Sequence, residues 1–523
     1  MLVNVTEGTL KGEKVKNVLN SEEFYSFKGI PFAKPPVGKL RFKAPVPPEK
    51  YPGILDATVE RPMCPQKTFY DSSIRGDEDC LYLNVYTPKL PSEGDALKPV
   101  MFYLYGGGCT EGQKDSFLYG PDFLVTKDVV LVVPNYRVNI IGFLNLGLDV
   151  CPGNAGLKDQ VAALKWTKQN ISQFGGDPNN ITIFGESAGA ASTLYHLFSP
   201  LAKGLFHKAI VQSGNISHSR SFVSTDVCID RASRVAKKLG FVSKNPLELH
   251  DFLLKERDKG ELFPFTPSLE IVGPVNERAI NAKGSELMKQ DPGVPIMDGI
   301  CSHEALFSMR IHIVGKRPID ELMRKVEALC PRIFREFIKS EETEQRIVKD
   351  MKQFYFGEKS SEEDLILSAV DIFSDIMYNR GYHESINAFL RNSSQPVYSY
   401  VFSYHGTLGL LDYLFNYKRP AFLKGAGHTD ELGYLFNMEF NKENLAREET
   451  DRKIIEHMTT IWTNFAKYSN PGKGLAVDFK PISSAEVSYL DINEELTVKS
   501  GFAYEKRMKF LDSVFASVQN VDI

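Results

Sequence analysis

Three stretches of the chain are almost unbroken runs of apolar residues. Residues 101–104 (Met-Phe-Tyr-Leu) end at three glycines, residues 129–133 (Val-Val-Leu-Val-Val) stop at Pro134, and residues 181–184 read Ile-Thr-Ile-Phe. Between the last two, Leu157, Val161, Leu164, Ile171 and Phe174 recur at helical spacing over residues 156–174. Strands that are apolar throughout are covered on both faces, and their alternation with helices predicts a parallel sheet in an α/β layering. A helix is predicted over Ala188–Leu197, directly after the third strand, and charged amphipathic helices over 230–260 and 320–355. Residues 450–468 predict a long helix with Ile454, Ile455, Met458, Ile461, Trp462 and Phe465 on its inner face. Core packing accounts for these stripes.

At about 150 residues per domain, the 523 residues would make three or four domains. Yet no repeat, low-complexity stretch or Pro/Gly/Ser-rich linker divides the chain. With 42% apolar and 24% charged residues, the chain can bury a large core. Its 62 basic and 66 acidic residues leave a net charge of −4, which gives no field for nucleic acid or an anionic membrane. No apolar run approaches the roughly 18 residues of a membrane span. The first residues, Met1 to Glu7, lack a basic segment and a long apolar one, and the last, Asn520 to Ile523, are no retention signal. The expectation is a cytoplasmic protein, or an exported one if a leader has been removed. The seven cysteines are an odd number and none has zinc-site spacing, so neither metal nor cofactor is expected.

The chemistry begins at Ile181-Thr182-Ile183-Phe184-Gly185-Glu186-Ser187-Ala188-Gly189, a strand followed by Gly-x-Ser-x-Gly. A sharp strand-to-helix turn holds such a serine in a strained conformation, and side chains at Gly185 and Gly189 would clash across it. The turn sets the hydroxyl at a helix N-terminus, where developing negative charge is favoured. A five-residue pattern can arise in any loop; the strand before it and the helix after it mark this one as a nucleophile elbow.

Around it, the chain resembles a known family. Phe174-Gly175-Gly176-Asp177-Pro178 leads into the elbow, and Glu78-Asp79-Cys80-Leu81-Tyr82-Leu83-Asn84-Val85 lies upstream. Together they resemble the two signatures of the type-B carboxylesterases, the cholinesterase-like α/β hydrolases. Phe27-Lys28-Gly29-Ile30-Pro31-Phe32-Ala33, Asn135-Tyr136-Arg137-Val138 and Gly153-Asn154-Ala155-Gly156-Leu157-Lys158-Asp159-Gln160 match as well, and the resemblance runs in order from about residue 6 to about residue 472. Within the family the chain is most similar to the insect intracellular α-esterases. The resemblance implies one domain over residues 1–523, an α/β-hydrolase fold with a large, mostly parallel mixed sheet flanked by helices and small N-terminal antiparallel strands. It also implies ester hydrolysis through Ser187.

A serine nucleophile needs a base, an acid to orient it and donors for the oxyanion. Tyr105-Gly106-Gly107-Gly108 follows a strand, and its glycines allow backbone N–H groups close to a substrate oxygen. The resemblance assigns the donors to Gly107, Gly108 and Ala188; Cys109 stands where the family commonly has phenylalanine. In this fold the acid follows the serine and the histidine follows the acid. Five histidines satisfy that order: His312, His383, His405, His428 and His457. His457 sits in a helical pattern and His312 among apolar neighbours, whereas His428 lies in Lys424-Gly425-Ala426-Gly427-His428-Thr429-Asp430-Glu431, which matches the family's histidine loop. The matching acid is Glu304, delivered by the strand before Ser302-His303-Glu304-Ala305. The family usually reads Asp-Glu-Gly there, so an exposed structural glutamate stays open as the alternative. Further residues carried over are Glu186 beside the nucleophile, Ser213 near the Glu304 carboxylate, Arg41–Glu78 and Arg137–Asp159 as buried salt bridges, and Cys64 with Cys80 as a possible disulfide.

The substrate reading rests on what differs. Cholinesterases hold quaternary ammonium with a tryptophan between the cysteines that match Cys64 and Cys80. This chain has only Trp166 and Trp462, both in predicted helices. Juvenile-hormone esterases resemble Gly-Gln-Ser-Ala-Gly at the elbow, where this chain has Glu186. The segment Gly214-Asn215-Ile216-Ser217-His218-Ser219-Arg220 replaces a common Pro-Trp, which makes the acyl pocket atypical. The expected function is a carboxylesterase for small uncharged esters, in xenobiotic or lipid-like ester metabolism. The alternative is a sequestering esterase that acylates fast and turns over slowly, organophosphates included. A non-catalytic adhesion relative is discounted, because such relatives lack the serine.

Overall fold

The computed structural model describes residues 1–68, 73–216, 222–243, 245–255, 265–314, 318–334, 340–416, 419–446 and 449–519. In chain order its first strands are β1 (Leu2–Val5), β2 (Gly8–Lys11), β3 (Glu13–Lys16), β4 (Glu23–Pro31), β5 (Ile54–Asp56), β6 (Gln66–Lys67), β7 (Ile74–Arg75) and β8 (Tyr82–Thr87). Then come β9 (Lys98–Leu104), β10 (Val130–Pro134), β11 (Gly176–Glu186), β12 (Lys208–Gln212), β13 (Ile296–Cys301), β14 (Val397–Phe402), β15 (Ser488–Ile492) and β16 (Thr497–Ser500). β1, β2 and β5 make a small N-terminal sheet in which β1–β2 is antiparallel and β2–β5 parallel.

The large sheet has eleven strands in the order β16-β15-β14-β13-β12-β11-β9-β10-β8-β4-β3. From β15 to β10 every pairing is parallel, and the flanking pairings to β16, β8, β4 and β3 are antiparallel. The apolar runs seen in the sequence are the centre of this sheet: every residue of β10, and Val100 to Leu104 of β9, is buried. Helices Ala155–Asn170 and Glu449–Tyr468 pack against the central strands. Both tryptophans serve this packing, Trp166 donating to Glu7 Oε2 at 3.1 Å and Trp462 to Gln212 Oε1 at 3.1 Å.

The two predicted amphipathic stretches are each broken in two. The first ends at Lys238, two residues before Gly240 with its left-handed φ of +91°, and restarts at Pro246 as helix Pro246–Lys255. Glycine just after a helix and proline at its first position are the usual punctuation. The second gives helices Ile319–Phe334 and Glu341–Tyr355, the latter capped by the Ser340 hydroxyl accepting from Thr343 N–H. Among the described residues no helix is long and apolar enough to cross a membrane.

The strand order fixes where a site can form. β10 lies on one side of β9, and the chain then crosses back to place β11 on the other. Ligands bind in α/β sheets at such a reversal, outside the carboxyl ends of the strands. Here those ends are Leu104, followed by the glycine triplet, and Glu186, followed by Ser187. The neighbours β12 and β13 run in the same direction and end just before Ser213 and Ser302.

Two ion pairs brace this edge, the first partly buried and the second fully buried. Arg41 meets Glu78 through two bonds of 2.9 and 2.8 Å. Arg137, 1% exposed, meets Asp159 through Nε at 2.7 Å and Nη2 at 2.6 Å, and its remaining donors reach the carbonyls of Arg41 and Lys43, each at 2.7 Å. Cys64 and Cys80 are joined by a disulfide, with Cα atoms 5.0 Å apart. Asp159→Asn leaves the Arg137 charge buried without its counter-ion. The expected loss is about 3–5 kcal/mol, read as an earlier midpoint in urea unfolding; an unchanged midpoint would show that the pair adds nothing.

Candidate active site

The elbow is built by exclusion. Ser187 has φ +57° and ψ −120°, a region that residues with a side chain rarely enter and that costs about 1–3 kcal/mol. It persists because the turn has no room to relax. A Cβ on Gly189 would stand 1.9 Å from the Leu104 carbonyl oxygen, and one on Gly185 would stand 2.5 Å from the Gly189 carbonyl carbon. Ser187 N–H extends the ladder to Gln212 O at 2.8 Å, and its carbonyl starts helix Ala188–Phe198 by accepting from Ala191 N–H at 2.9 Å.

The glycine triplet lies against this turn. A Cβ on Gly106 would meet Glu186 Oε2 at 2.7 Å and Ser187 Cβ at 3.1 Å, so the loop approaches the elbow to within one side chain's width. Gly107 and Gly108 take φ of +100° and +63°, and the carbonyl of Gly107 accepts from Thr110 and Glu111 N–H at 3.0 and 3.2 Å. Both residues are exposed, and their own N–H groups donate to no acceptor among the described residues. Ala188 opens its helix, so its N–H has no intrahelical acceptor either. Three unused donors thus border the serine. Cys109, next in line, is buried, and burial pushes its thiol up to about 12, which keeps it protonated and unreactive.

Glu304 is fully buried. Its Oε1 accepts from Ser213 Oγ at 2.5 Å and Cys301 N–H at 2.8 Å, and its Oε2 faces His428 Nδ1 at 2.6 Å. The loops that carry the two residues are stitched together, His428 N–H to Glu304 O at 3.2 Å and His303 N–H to Ala426 O at 2.8 Å. With Nδ1 engaged, the imidazole presents Nε2 to the serine side. There it lies 3.1 Å from Glu186 Oε1, out of line for a hydrogen bond. No hydrogen bond ties Ser187 Oγ to His428 among the described residues; such contacts often tighten only when substrate is bound. Tyr378, in the π-helical turn Asp375–Asn379, lays its ring 4.5 Å from the imidazole, and Phe307 stands edge-on at 6.0 Å.

Carboxylates dominate the electrostatics. Burial alone would lower the basicity of His428, but Glu186, Glu304 and Glu431 outweigh it and raise its pKa to about 9. Glu186 is pushed to about 8 by burial and by Glu431 and Glu304, against the pull of His428. Glu431 is raised by burial and by Glu304; it accepts from Gln212 Nε2 and Cys301 Sγ, both at 3.1 Å.

The sequence expectations therefore converge on one edge of the sheet: Ser187, Glu304, His428, Gly107, Gly108, Ala188, Glu186 and Ser213 all stand there. Glu304 is buried, not exposed. The other histidines are engaged elsewhere, His383 against the Phe502 ring and His405 on Asp412 at 3.2 Å; the side chain of His312 lies outside the described residues. So do Ser217 to Arg220 of the acyl-side segment. Two neighbours were not foreseen. Glu431 sits three residues after His428, in the short helix Asp430–Tyr434 that follows the histidine loop, and this closeness in sequence is the signal that could have marked it; Tyr378 comes from a helix with no motif.

The chain matches the model of the carboxylesterase family over residues 1–511. It is 34% identical over 503 residues to the juvenile hormone esterase of Tribolium castaneum, covering 90% of this chain and 84% of that one. It is 35% identical over 504 residues to esterase FE4 of Myzus persicae, covering 92% and 86%. The crystal structure of juvenile hormone esterase from Manduca sexta, with OTFP covalently attached, superposes with a TM-score of 0.84 at 28% identity over 99% of both chains.

Glu186→Gln takes away the carboxylate nearest Nε2. The imidazole should then release its proton at lower pH, by about one pH unit, when its titration is followed by NMR of ring-labelled protein. A midpoint that stays put would mean that Glu186 does not act on His428.

Proposed function

Because the chain belongs to the carboxylesterase family and hydrolyses carboxylic esters, we propose that it does so through an acyl intermediate on Ser187. The observation that carries this reading is the unbroken line Ser213–Glu304–His428, with bonds of 2.5 and 2.6 Å, ending at an imidazole that presents Nε2 beside the elbow. Ser187 Oγ attacks the ester carbonyl while Nε2 takes its proton. The carbonyl oxygen, now an oxyanion, is received by the N–H groups of Gly107, Gly108 and Ala188. Glu304 stabilises the imidazolium and holds its tautomer. The intermediate collapses, the alcohol leaves with the proton from Nε2, and water then repeats the sequence to release the acid. Only the neutral imidazole accepts a proton, so turnover climbs as pH rises through the raised pKa of His428.

Uncharged esters are the substrates of this reading. Tyr378 and Phe307 supply apolar walls beside His428, and neither Trp166 nor Trp462 is free to receive a quaternary ammonium. One domain over residues 1–523 is part of the same reading, supported by a sheet that recruits strands from residue 13 to residue 500. Action on xenobiotic or lipid-like esters completes it, in the cytosol if the Cys64–Cys80 pair is reduced in the cell and in an exported form if it is bridged as in the structure. Thiol labelling in intact cells tests the compartment, since a bridged Cys64–Cys80 pair marks an oxidising one.

Ser187→Ala should leave the fold intact and lower hydrolysis of a 4-nitrophenyl ester by at least about a thousandfold. A smaller loss would move the nucleophile elsewhere. Rapid mixing of the wild type separates steady turnover, which this reading expects, from a one-equivalent burst with slow release, which would make the protein a sequestering esterase.

A further inference from the structure

Behind the catalytic acid, Ser302 is a crossing point for three parts of the chain. Its N–H donates to Phe402 O at 2.9 Å, at the end of β14. Its hydroxyl accepts from Ala426 N–H at 3.0 Å, in the histidine loop. Its carbonyl accepts from the hydroxyl of Tyr504 at 2.9 Å, from a residue two hundred positions away in the C-terminal segment.

Tyr504 is held for this contact at a cost. Its φ is +56°, a left-handed conformation that disfavours a bulky side chain. Its carbonyl starts helix Glu505–Gln519 by accepting from Arg507 and Met508 N–H at 2.9 and 3.1 Å. The Arg507 guanidinium lies 4.3 Å from the Tyr504 ring centre, and is itself fixed by Asp371 at 2.5 Å and Asp375 at 2.9 Å. Asp375 opens the π-helical turn that carries Tyr378 to His428. Burial raises the phenol well above its ordinary range, so it stays a donor at every working pH.

We propose that Tyr504 is a positioning residue for ester hydrolysis: its hydroxyl fixes the Ser302 carbonyl and so sets the height of Glu304 against His428. The inference rests on the reading of Glu304 as the catalytic acid. A residue that merely anchored the C-terminal helix would not need its hydroxyl on the one carbonyl two residues before that acid.

The experiment compares Tyr504→Phe, Leu511→Ala and Glu304→Gln in the full chain with a 4-nitrophenyl ester. Leu511 is fully buried on the same helix and has no hydroxyl with which to hold the Ser302 carbonyl. Tyr504→Phe should lower kcat about three- to tenfold with KM unchanged. It should also move the rising limb of the kcat–pH profile to lower pH, because an imidazole less well paired with Glu304 loses its proton sooner. Leu511→Ala should lower the melting temperature and leave kcat and the limb in place. Wild-type kcat and limb in Tyr504→Phe would overturn the inference. So would a Leu511→Ala variant that reproduces both changes, since the effect would then belong to helix docking. Near wild-type turnover in Glu304→Gln would instead remove the acid on which the inference depends.

Discussion

The structure turns on how closely helix Ala188–Phe198 sits over the end of β9. A single added carbon at residue 189 would stand 1.9 Å from the Leu104 carbonyl oxygen. That approach is what forces Ser187 into its left-handed turn, and it also brings the Tyr105–Gly108 loop beside the serine. Nucleophile and oxyanion donors are therefore set by one packing constraint, not by two. The parallel sheet extends the arrangement. Strands β9, β11, β12 and β13 are neighbours and point the same way, so the residues after their ends, Gly107, Ser187, Ser213 and Glu304, arrive at one edge in order.

The second constraint is charge. Glu186, Glu304, Glu431 and His428 are all buried in one small volume. Several isolated carboxylates could not be ionised there; desolvation alone would cost several kcal/mol for each. The solution is graded. Glu304 has two donors besides a direct bond to the imidazole, which suits a carboxylate that must stay charged. Glu186 has no donor on Oε1 and is pushed toward its neutral form. Glu431 takes two weak neutral donors. One imidazole can then balance the group, and its raised pKa is the consequence.

Much of this was legible in the chain. The apolar runs ending at Leu104, Pro134 and Phe184 read as doubly covered strands because they are the centre of the sheet. Gly185, Gly189 and the triplet at 106–108 read as an elbow and a donor loop because only glycine fits the contacts at 106, 107, 185 and 189, and Gly108 supplies a left-handed φ. The acid and the base were harder: Glu304 lacks the glycine that usually follows it, and its register became visible only once Ser213 and Cys301 were seen to hold it. What was not legible depends on long-range packing. Tyr504 and Tyr378 carry no motif, and they reach the site only because Arg507 ties the C-terminal helix to Asp375. The breaks inside 230–260 were marked by Gly240 and Pro246, yet apolar periodicity outweighed them.

The central claim is that Ser187, bordered by the N–H groups of Gly107, Gly108 and Ala188, is the one activated nucleophile. A fluorophosphonate tests it directly, because a phosphoryl oxygen can occupy the same donors as an acyl oxygen. Its tetrahedral adduct would need water in line with the serine oxygen, on the side away from His428, so release should be far slower than that of an acyl group. Peptide mass spectrometry after reaction with one equivalent should find a single adduct, on Ser187, with activity lost in proportion and not recovered on the timescale of ester turnover. An adduct on any other residue, or full activity after stoichiometric labelling, would contradict the account.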